Sequence, residues 1–175
     1  MISKPLSRGL ASAAIAPKKK FQKVLVANRG EIAVRIMRAA TELDIGTVGI
    51  FSHEDRFTQH RYKADESYLV GEGKSPVGAY LDIEGIVELG KRVGADAVHP
   101  GYGFLSENLH FARACEEAGI TFIGPTVENL DEFGDKTSAR ELAIASQVPV
   151  VPGTPGPVTS LEQAQEFCAD CGFPV

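Results

Sequence analysis

The sequence predicts an α/β fold, a doubly wound parallel sheet followed by a helical linker. Two observations carry this prediction. The candidate strands within the first 125 residues are apolar throughout rather than alternating, and amphipathic helices occur between them. Strands that are apolar on both faces need helices on both faces, which is the arrangement of a parallel α/β sheet with right-handed crossovers. The 175 residues, 43% of them hydrophobic, suffice for one such core.

The first elements lie between residues 23 and 70. Residues 23–27 are a short apolar run and predict the first strand. A helix follows over 31–43, because apolar residues recur on one face and charged residues on the other, and Gly46 ends it. Residues 47–51 predict the second strand, and a polar stretch leads to a third apolar run at 67–70.

The next elements complete the alternation up to residue 125. Asp82 can cap a helix that ends just before Gly94. Residues 97–99 predict a strand, and a glycine-rich loop then leads to a helix over 106–118 with its first residue, a serine, as the cap. Residues 121–123 predict the last strand before a Gly-Pro stop.

Beyond residue 125 the alternation stops. The remaining segments are two short helices, a proline-rich connector, a further helix and the start of a strand. They are predicted at 127–133, 135–146, 148–157, 160–171 and 173–175, respectively. We therefore expect an α/β domain over 21–135, and a linker with the truncated start of a second unit over 136–175.

Charge is distributed unevenly along the chain. The first 30 residues carry seven basic and no acidic side chains, so the rest carries a net charge of −12. A basic, Ser/Ala-rich leader over 1–20 is typical of a mitochondrial transit peptide, which predicts the mitochondrial matrix. The alternative is a disordered basic tail on a cytoplasmic protein. The acidic body argues against a nucleic-acid partner, and no apolar run is long enough to span a membrane.

The three cysteines do not predict a disulfide framework, because their number is odd. Cys168 and Cys171 have the C-x-x-C spacing, but no second pair completes a zinc site. Both also fall on the apolar stripe of the helix that begins after Ser160. We expect both thiols to be buried as small hydrophobic groups.

Three segments follow strands or open helices where a doubly wound sheet binds ligands. The first is 28–31, directly after the first strand. It contains only Gly30 of a glycine-rich phosphate loop, and Glu31 already occupies the first turn of the helix. The pattern therefore favours a structural turn that orders a neighbouring segment over a pyrophosphate site.

The second segment is the glycine-rich stretch 99–107. As a ligand-facing loop it offers His99, Tyr102 and Glu107. In the alternative interpretation the loop packs through its apolar residues, His99 is a satisfied core histidine, and Glu107 sits in the first turn of a helix. Spacing leaves both interpretations open.

The third segment is 134–136. Asp135 is a good helix cap, but Lys136 places a cation in the first turn, where the helix dipole disfavours it. A bound anion such as a nucleotide phosphate would account for this lysine. A solvated lysine partly offset by Asp135 is the alternative.

Taken together, the motifs resemble the N-terminal domain of biotin carboxylases over about residues 21–175. They stand at 26–33, 99–107, 122–125 and 134–136. Three further stretches look most like the pyruvate carboxylases within that family. These are 60–66, 76–81 and 148–154.

The resemblance implies a ligase that uses ATP, Mg²⁺ (or Mn²⁺) and biotin, the last on a carrier domain outside this chain. ATP and bicarbonate form carboxyphosphate, which carboxylates biotin, and in pyruvate carboxylases the carboxyl group then passes to pyruvate to give oxaloacetate. A homo-oligomer is implied for the full-length protein. The alternatives are the biotin carboxylase part of an acyl-CoA carboxylase and a non-catalytic α/β binding module.

The resemblance also implies roles for individual residues. Lys136 matches a nucleotide-contacting lysine, and Tyr102 and Gly103 match a loop near biotin. Arg35, Arg38 and Glu42 match a dimerisation surface, although a solvated helix face with an Arg38–Glu42 pair is the alternative. The family's glycine-rich lid, metal-binding carboxylates and catalytic base are expected beyond residue 175. We therefore expect no catalytic or metal-binding residue in these 175, and no biotin carboxylation by this chain alone.

Overall fold

The structure, a computed structural model, describes residues 21–154 and 156–174. The predicted leader and the last residue of the predicted terminal strand lie outside them. Five strands form one parallel sheet in the order β3-β2-β1-β4-β5, which confirms the predicted α/β class. The strands are β1 (Lys23–Val26), β2 (Gly46–Phe51), β3 (Glu66–Leu69), β4 (Ala97–His99) and β5 (Thr121–Phe122).

Seven α-helices connect and follow these strands in the described part of the chain. They are α1 (Gly30–Glu42), α2 (Gln59–Lys63), α3 (Ile83–Val93), α4 (Leu109–Glu117), α5 (Val127–Gly134), α6 (Lys136–Ala145) and α7 (Leu161–Cys171). Two 3₁₀ turns, Glu54–Phe57 and Gly78–Leu81, stand between β2 and α2 and before α3. The first of these turns and α2 lie within the stretch expected only to be polar.

The central strands β1, β2 and β4 are buried on both faces, as their apolar composition predicted, whereas the edge strands β3 and β5 are only partly buried. Leu25 belongs to the large core formed with α3 and α4, whereas its neighbour Val26 packs with Ala33 and Met37 of α1. Successive side chains of a strand point to opposite faces, so each face of β1 has its own helical cover. The approach of α1 is close, because a Cβ at Gly49 would lie 2.9 Å from Met37 Cε.

The glycine-rich loop continues three residues further than predicted, because α4 begins at Leu109 and not at Ser106. Asn108 is the cap, and its Oδ1 accepts a hydrogen bond from the backbone N–H of Phe111 at 2.9 Å. This cap sets the register in which Phe111, Ala112 and Cys115 are buried. The prediction of a Ser106 cap was therefore wrong.

The cysteine prediction was also wrong for α7. Cys168 is only half-buried and Cys171 is exposed, and neither forms a disulfide. The helix has the predicted serine cap and an apolar stripe, but it has no buried residue. Within 21–154 and 156–174, nothing covers that stripe enough to bury it. Phe173 and Pro174 are not in a strand, contrary to expectation. Among the described helices, none is long and apolar enough to cross a membrane.

Candidate functional site

The order in which the chain adds strands to the sheet reverses between β1 and β4. The chain adds β2 and β3 on one side of β1 and then returns to add β4 and β5 on the other. Ligands of such sheets bind at this switch point, beyond the carboxyl ends of the strands. The segments that follow β1 and β4, residues 28–31 and 99–104, are therefore neighbours at the edge of the sheet where a ligand is expected.

Asn28 joins these two segments. Its side chain is fully buried, and its Nδ2 donates to the carbonyl oxygens of Pro100, at 2.7 Å, and Tyr102, at 3.0 Å. Its Oδ1 accepts from the Arg29 N–H at 2.8 Å. Both the nitrogen and the oxygen of this buried side-chain amide therefore have hydrogen-bond partners. The prediction that this turn is structural and orders a neighbouring segment is confirmed by these contacts.

The loop after β4 has an unusual backbone. Gly101 and Gly103 both have φ of +69°, and Phe104 has φ of +45°. At Gly101 a Cβ would lie 2.6 Å from Ile32 Cγ2, so this position needs glycine for space as well as for its dihedral angle. Phe104 is a bulky residue in the left-handed region, and such a conformation persists only where the surroundings impose it.

Part of that constraint comes from Tyr80. The Phe104 ring stacks on the Tyr80 ring with 5.3 Å between centroids, and the Arg29 guanidinium lies 5.6 Å and 5.7 Å from the two centroids. The same guanidinium donates to Asp55 Oδ2 at 3.1 Å, and the Tyr80 hydroxyl donates to that oxygen at 2.7 Å. One carboxylate therefore anchors both the cation and the aromatic ring that support Phe104.

The environment of this cluster shifts two pKa values in opposite directions. Burial acts to raise the pKa of Asp55, but hydrogen bonds from Tyr80 and Arg29 outweigh it, and the pKa lies below its usual range. Burial, and then the bond to Asp55, raise the pKa of the Tyr80 hydroxyl. Asp55 is thus held as an anion and Tyr80 as a neutral donor, which suits a structural network and not proton transfer.

Tyr102 is held from outside the loop. The residue is 65% exposed, and its hydroxyl donates to Glu31 Oε1 at 2.6 Å. This bond raises the pKa of the Tyr102 phenol. Gly103 next to it is exposed, with open space where a Cβ would stand. Tyr102 and Gly103 therefore present an accessible aromatic ring and a bare backbone at the switch point.

His99 and Glu107 do not join Tyr102 in a site. His99 Nδ1 accepts a hydrogen bond from the Gly101 N–H at 3.0 Å, and burial lowers the pKa of its ring. It is therefore a neutral histidine that stabilises the loop. Glu107 is exposed and precedes α4, so the expectation that it occupies the first turn of a helix was wrong.

Lys136 is the first residue of α6, where the sequence placed it. Asp135 caps this helix through the backbone N–H groups of Thr137, at 3.0 Å, and Ser138, at 2.9 Å. The lysine side chain is exposed and, within the described ranges, makes no hydrogen bond or ion pair, including none to the loop after β4. Its ammonium is available to an anionic ligand.

The three residues matched to a dimerisation surface share one face of α1. Arg35, Arg38 and Glu42 are all exposed, and Arg38 Nε lies 3.1 Å from Glu42 Oε1. This pair is compatible with a contact surface and also with a solvated helix face. No group of His, Cys, Asp and Glu side chains able to hold a metal ion is found in the described part of the chain.

The sequence did not predict how four residues of this region contact one another. Arg29, Asp55, His60 and Tyr80 come from three parts of the chain and share no local motif. Asp55 and His60 belong to the stretch expected only to be polar. The only sequence feature that points to them is the presence of an acidic residue and a histidine after a predicted strand. This combination is too common to predict a hydrogen-bond network.

Comparison with known proteins places this geometry in a family. The family described as the biotin carboxylase N-terminal domain matches residues 20–130. Pyruvate carboxylase of Bacillus subtilis is 62% identical over 157 residues, which are 90% of this chain and 14% of that protein. The human mitochondrial pyruvate carboxylase is 57% identical, with 90% of this chain and 13% of that protein covered. The chain thus spans about one seventh of the length of these relatives.

Solved structures agree with the sequence relatives. The complete pyruvate carboxylase of Rhizobium etli superposes with a TM-score of 0.72 and 50% identity, covering 76% of this chain and 13% of that one. The bicarbonate-bound biotin carboxylase domain of a thermophilic 2-oxoglutarate carboxylase superposes with a TM-score of 0.81 and 49% identity, covering 88% and 34%.

Proposed function

Since the chain belongs to the biotin carboxylase N-terminal domain family, we propose that it serves a biotin-dependent carboxylase that transfers the carboxyl group to pyruvate. The single observation that supports pyruvate is the 62% identity to a pyruvate carboxylase across 90% of the chain. In this proposal ATP and bicarbonate drive carboxylation of biotin, and oxaloacetate is the final product. The full-length protein is proposed to be a homo-oligomer.

A second acceptor remains a candidate for a specific reason. Biotin carboxylase domains of 2-oxoglutarate carboxylase are 49% identical to this chain, close to the 50% of the Rhizobium etli pyruvate carboxylase. We propose that the acceptor substrate binds outside these 175 residues. Product analysis with pyruvate and with 2-oxoglutarate as acceptors, in the full-length enzyme, discriminates between the two proposals.

The residues present fit ATP and biotin better than they fit a metal. Lys136 has no ion-pair partner among the described residues and offers a cation of the kind that contacts nucleotide phosphates. Tyr102 with Gly103 offers an aromatic and backbone surface for a biotin ring. Mg²⁺ or Mn²⁺, when bound, would neutralise phosphate charge. No cluster among the described residues could hold it, so we assign it no ligand in this chain.

We propose the mitochondrial matrix as the location of the protein. The basic, acid-free composition of residues 1–20 supports it, as does the similarity to a mitochondrial human relative. The bacterial relative is 62% identical, against 57% for the human one, and this keeps the cytoplasm as the alternative.

The ATP-binding role of Lys136 is tested with Lys136→Ala in the full-length carboxylase. Loss of one charge-assisted hydrogen bond to a phosphate costs about 1.5–3 kcal/mol, which corresponds to a rise of roughly ten- to a hundredfold in the KM for ATP. The measurement is bicarbonate-dependent ATP cleavage in the presence of free biotin. Lys91→Ala is the control, because Lys91 is also an exposed helical lysine but is paired with Glu88 at 2.8 Å. An unchanged KM for ATP in Lys136→Ala would contradict the assignment.

A further inference from the structure

The loop after β4 does not define its own conformation. Three of its residues, Gly101, Gly103 and Phe104, have positive φ, and the backbone hydrogen bonds made within it are few. A loop of this kind needs supports from other elements to remain in one conformation. The residues that would face biotin, Tyr102 and Gly103, stand at its most exposed point.

The inner support of the loop is Asn28, whose amide donates to the carbonyl oxygens of Pro100 and Tyr102. These bonds hold the backbone at both ends of Gly101, but they do not reach the Tyr102 side chain. Tyr102 is 65% exposed, and it belongs to none of the buried hydrophobic clusters found among the described residues. Whatever orients the phenol must therefore act from the surface.

The outer support is Glu31. It is the second residue of α1, so its backbone is fixed by the helix, and its carboxylate accepts the Tyr102 hydroxyl hydrogen bond at 2.6 Å. Inner and outer supports come from the same short segment, 28–31, at the start of one helix. Movement of the loop relative to α1 would break both contacts.

We propose that Glu31 is a positioning residue, which holds the Tyr102 ring in the orientation that receives biotin. This inference rests on the proposed biotin-dependent function. Glu31 itself touches no substrate in the proposal. It acts by preorganising Tyr102, so that biotin does not have to restrict the ring when it binds.

If Glu31 had a merely structural role, its replacement would lower the unfolding temperature. We expect no such change, because Glu31 and Tyr102 are both exposed and their hydrogen bond covers no core. A positioning role instead predicts a selective effect on biotin. It also predicts that the carboxylate and the hydroxyl act as one unit, so that removing both costs no more than removing one.

The experiment uses the full-length carboxylase with free biotin as the varied substrate and bicarbonate-dependent ATP cleavage as the readout. Glu31→Ala and Tyr102→Phe should each raise the KM for biotin about two- to tenfold, the range for one ordinary hydrogen bond. The double variant should match the single variants, and the KM for ATP should not change. Glu31→Gln keeps an acceptor oxygen and should restore most of the wild-type KM.

The matched control is Glu84→Ala. Glu84 is also the exposed second residue of a helix, α3, so it shares the favourable position in the helix dipole but has no contact with the loop. Its KM for biotin should equal that of the wild type. Additive effects of Glu31→Ala and Tyr102→Phe, or an unchanged KM for biotin, would overturn the positioning role alone. Wild-type protein whose ATP cleavage does not respond to biotin would overturn the proposed function and this inference with it.

Discussion

The side chain of His60 is buried and connects two segments at the edge of the sheet where a ligand is expected. Its Nδ1 accepts the Gly30 N–H at 3.2 Å, which leaves Nε2 to donate to the Ile50 carbonyl at 3.1 Å. With 1% of its surface exposed, the ring is neutral and bridges the start of α1 to β2. Burial is the largest influence on the pKa of His60 and lowers it below its ordinary value of 6.5. Protonation would place a donor opposite the Gly30 N–H.

This environment predicts an acid-sensitive contribution to stability. The unfolded chain takes up a proton on His60 near pH 6.5, whereas the folded protein does so only at lower pH. The free energy of unfolding should therefore fall as pH drops through 6.5, by at most about 1.4 kcal/mol per pH unit for one proton, until the folded pKa is reached. Urea unfolding at several pH values between 7.5 and 5 measures it.

The variants for that measurement are His60→Gln and His110→Gln. His60→Gln should be less stable at neutral pH but should lose this part of the pH dependence. His110 is exposed at the start of α4, and its replacement should preserve the wild-type profile. If the free energy of unfolding of His60→Gln falls with pH as steeply as that of the wild type, His60 is not the cause of the pH dependence.

Among the elements, α4 and α7 show what an amphipathic pattern can and cannot predict. Both have polar caps and an apolar stripe, and both were expected to bury it. Helix α4 buries Phe111, Ala112 and Cys115, whereas α7 buries no residue. A helical pattern specifies which face would be buried if a partner were present. Whether a partner is present depends on other elements.

The cap of α4 gives a prediction at this level. Asn108→Ala removes the side-chain acceptor for the Phe111 N–H and should lower the free energy of unfolding by about 1 kcal/mol. Ser106→Ala should have almost no effect, because the Ser106 hydroxyl does not cap the helix in the structure. Urea unfolding of the two variants compares them directly. A larger loss in Ser106→Ala would support the serine cap that the sequence suggested.

In the whole molecule, α1 takes part in both of the regions for which a function is proposed. Its first residues support the loop after β4, and its exposed face carries Arg35, Arg38 and Glu42. Its buried face rests on the sheet through Ala33, Met37 and Ala40. If the exposed face contacts a second copy, as we propose for the full-length protein, one rigid helix lies between the subunit contact and the Tyr102 loop.

That proposal predicts an effect of charge reversal on self-association. Arg38→Glu removes a cation from the face and places like charges at positions 38 and 42, so the full-length protein should dissociate at higher concentration than the wild type. Sedimentation velocity over a concentration series measures this. Lys91→Glu, on the exposed face of α3, is the control and should not alter association. If Arg38→Glu associates as strongly as the wild type, this face of α1 is a solvated helix face and not a contact surface.

Much of the secondary structure of this protein could be predicted from interactions between residues that are close together in the sequence. The strands, the helices α1, α3 and α4 between them and the aspartate caps of α3 and α6 were predicted from composition and spacing, because they depend on residues a few positions apart. Helix α2 was not predicted. The structural role of the turn at Asn28 was also predicted, since one glycine cannot form a phosphate loop. The family resemblance came from motifs that are contiguous in sequence.

Contacts between distant segments required the fold. The Arg29–Asp55–Tyr80 network, the Gly30–His60 hydrogen bond and the Glu31–Tyr102 hydrogen bond each join residues 25 to 71 positions apart. These residues become neighbours through the strand order β3-β2-β1-β4-β5, because the segments after β1, β2, β3 and β4 meet at one edge of the sheet. Strand order depends on packing of the whole chain, and residue spacing does not encode it. For the same reason the sequence could propose Tyr102 as a ligand-facing residue, but only the assembled sheet showed what holds it.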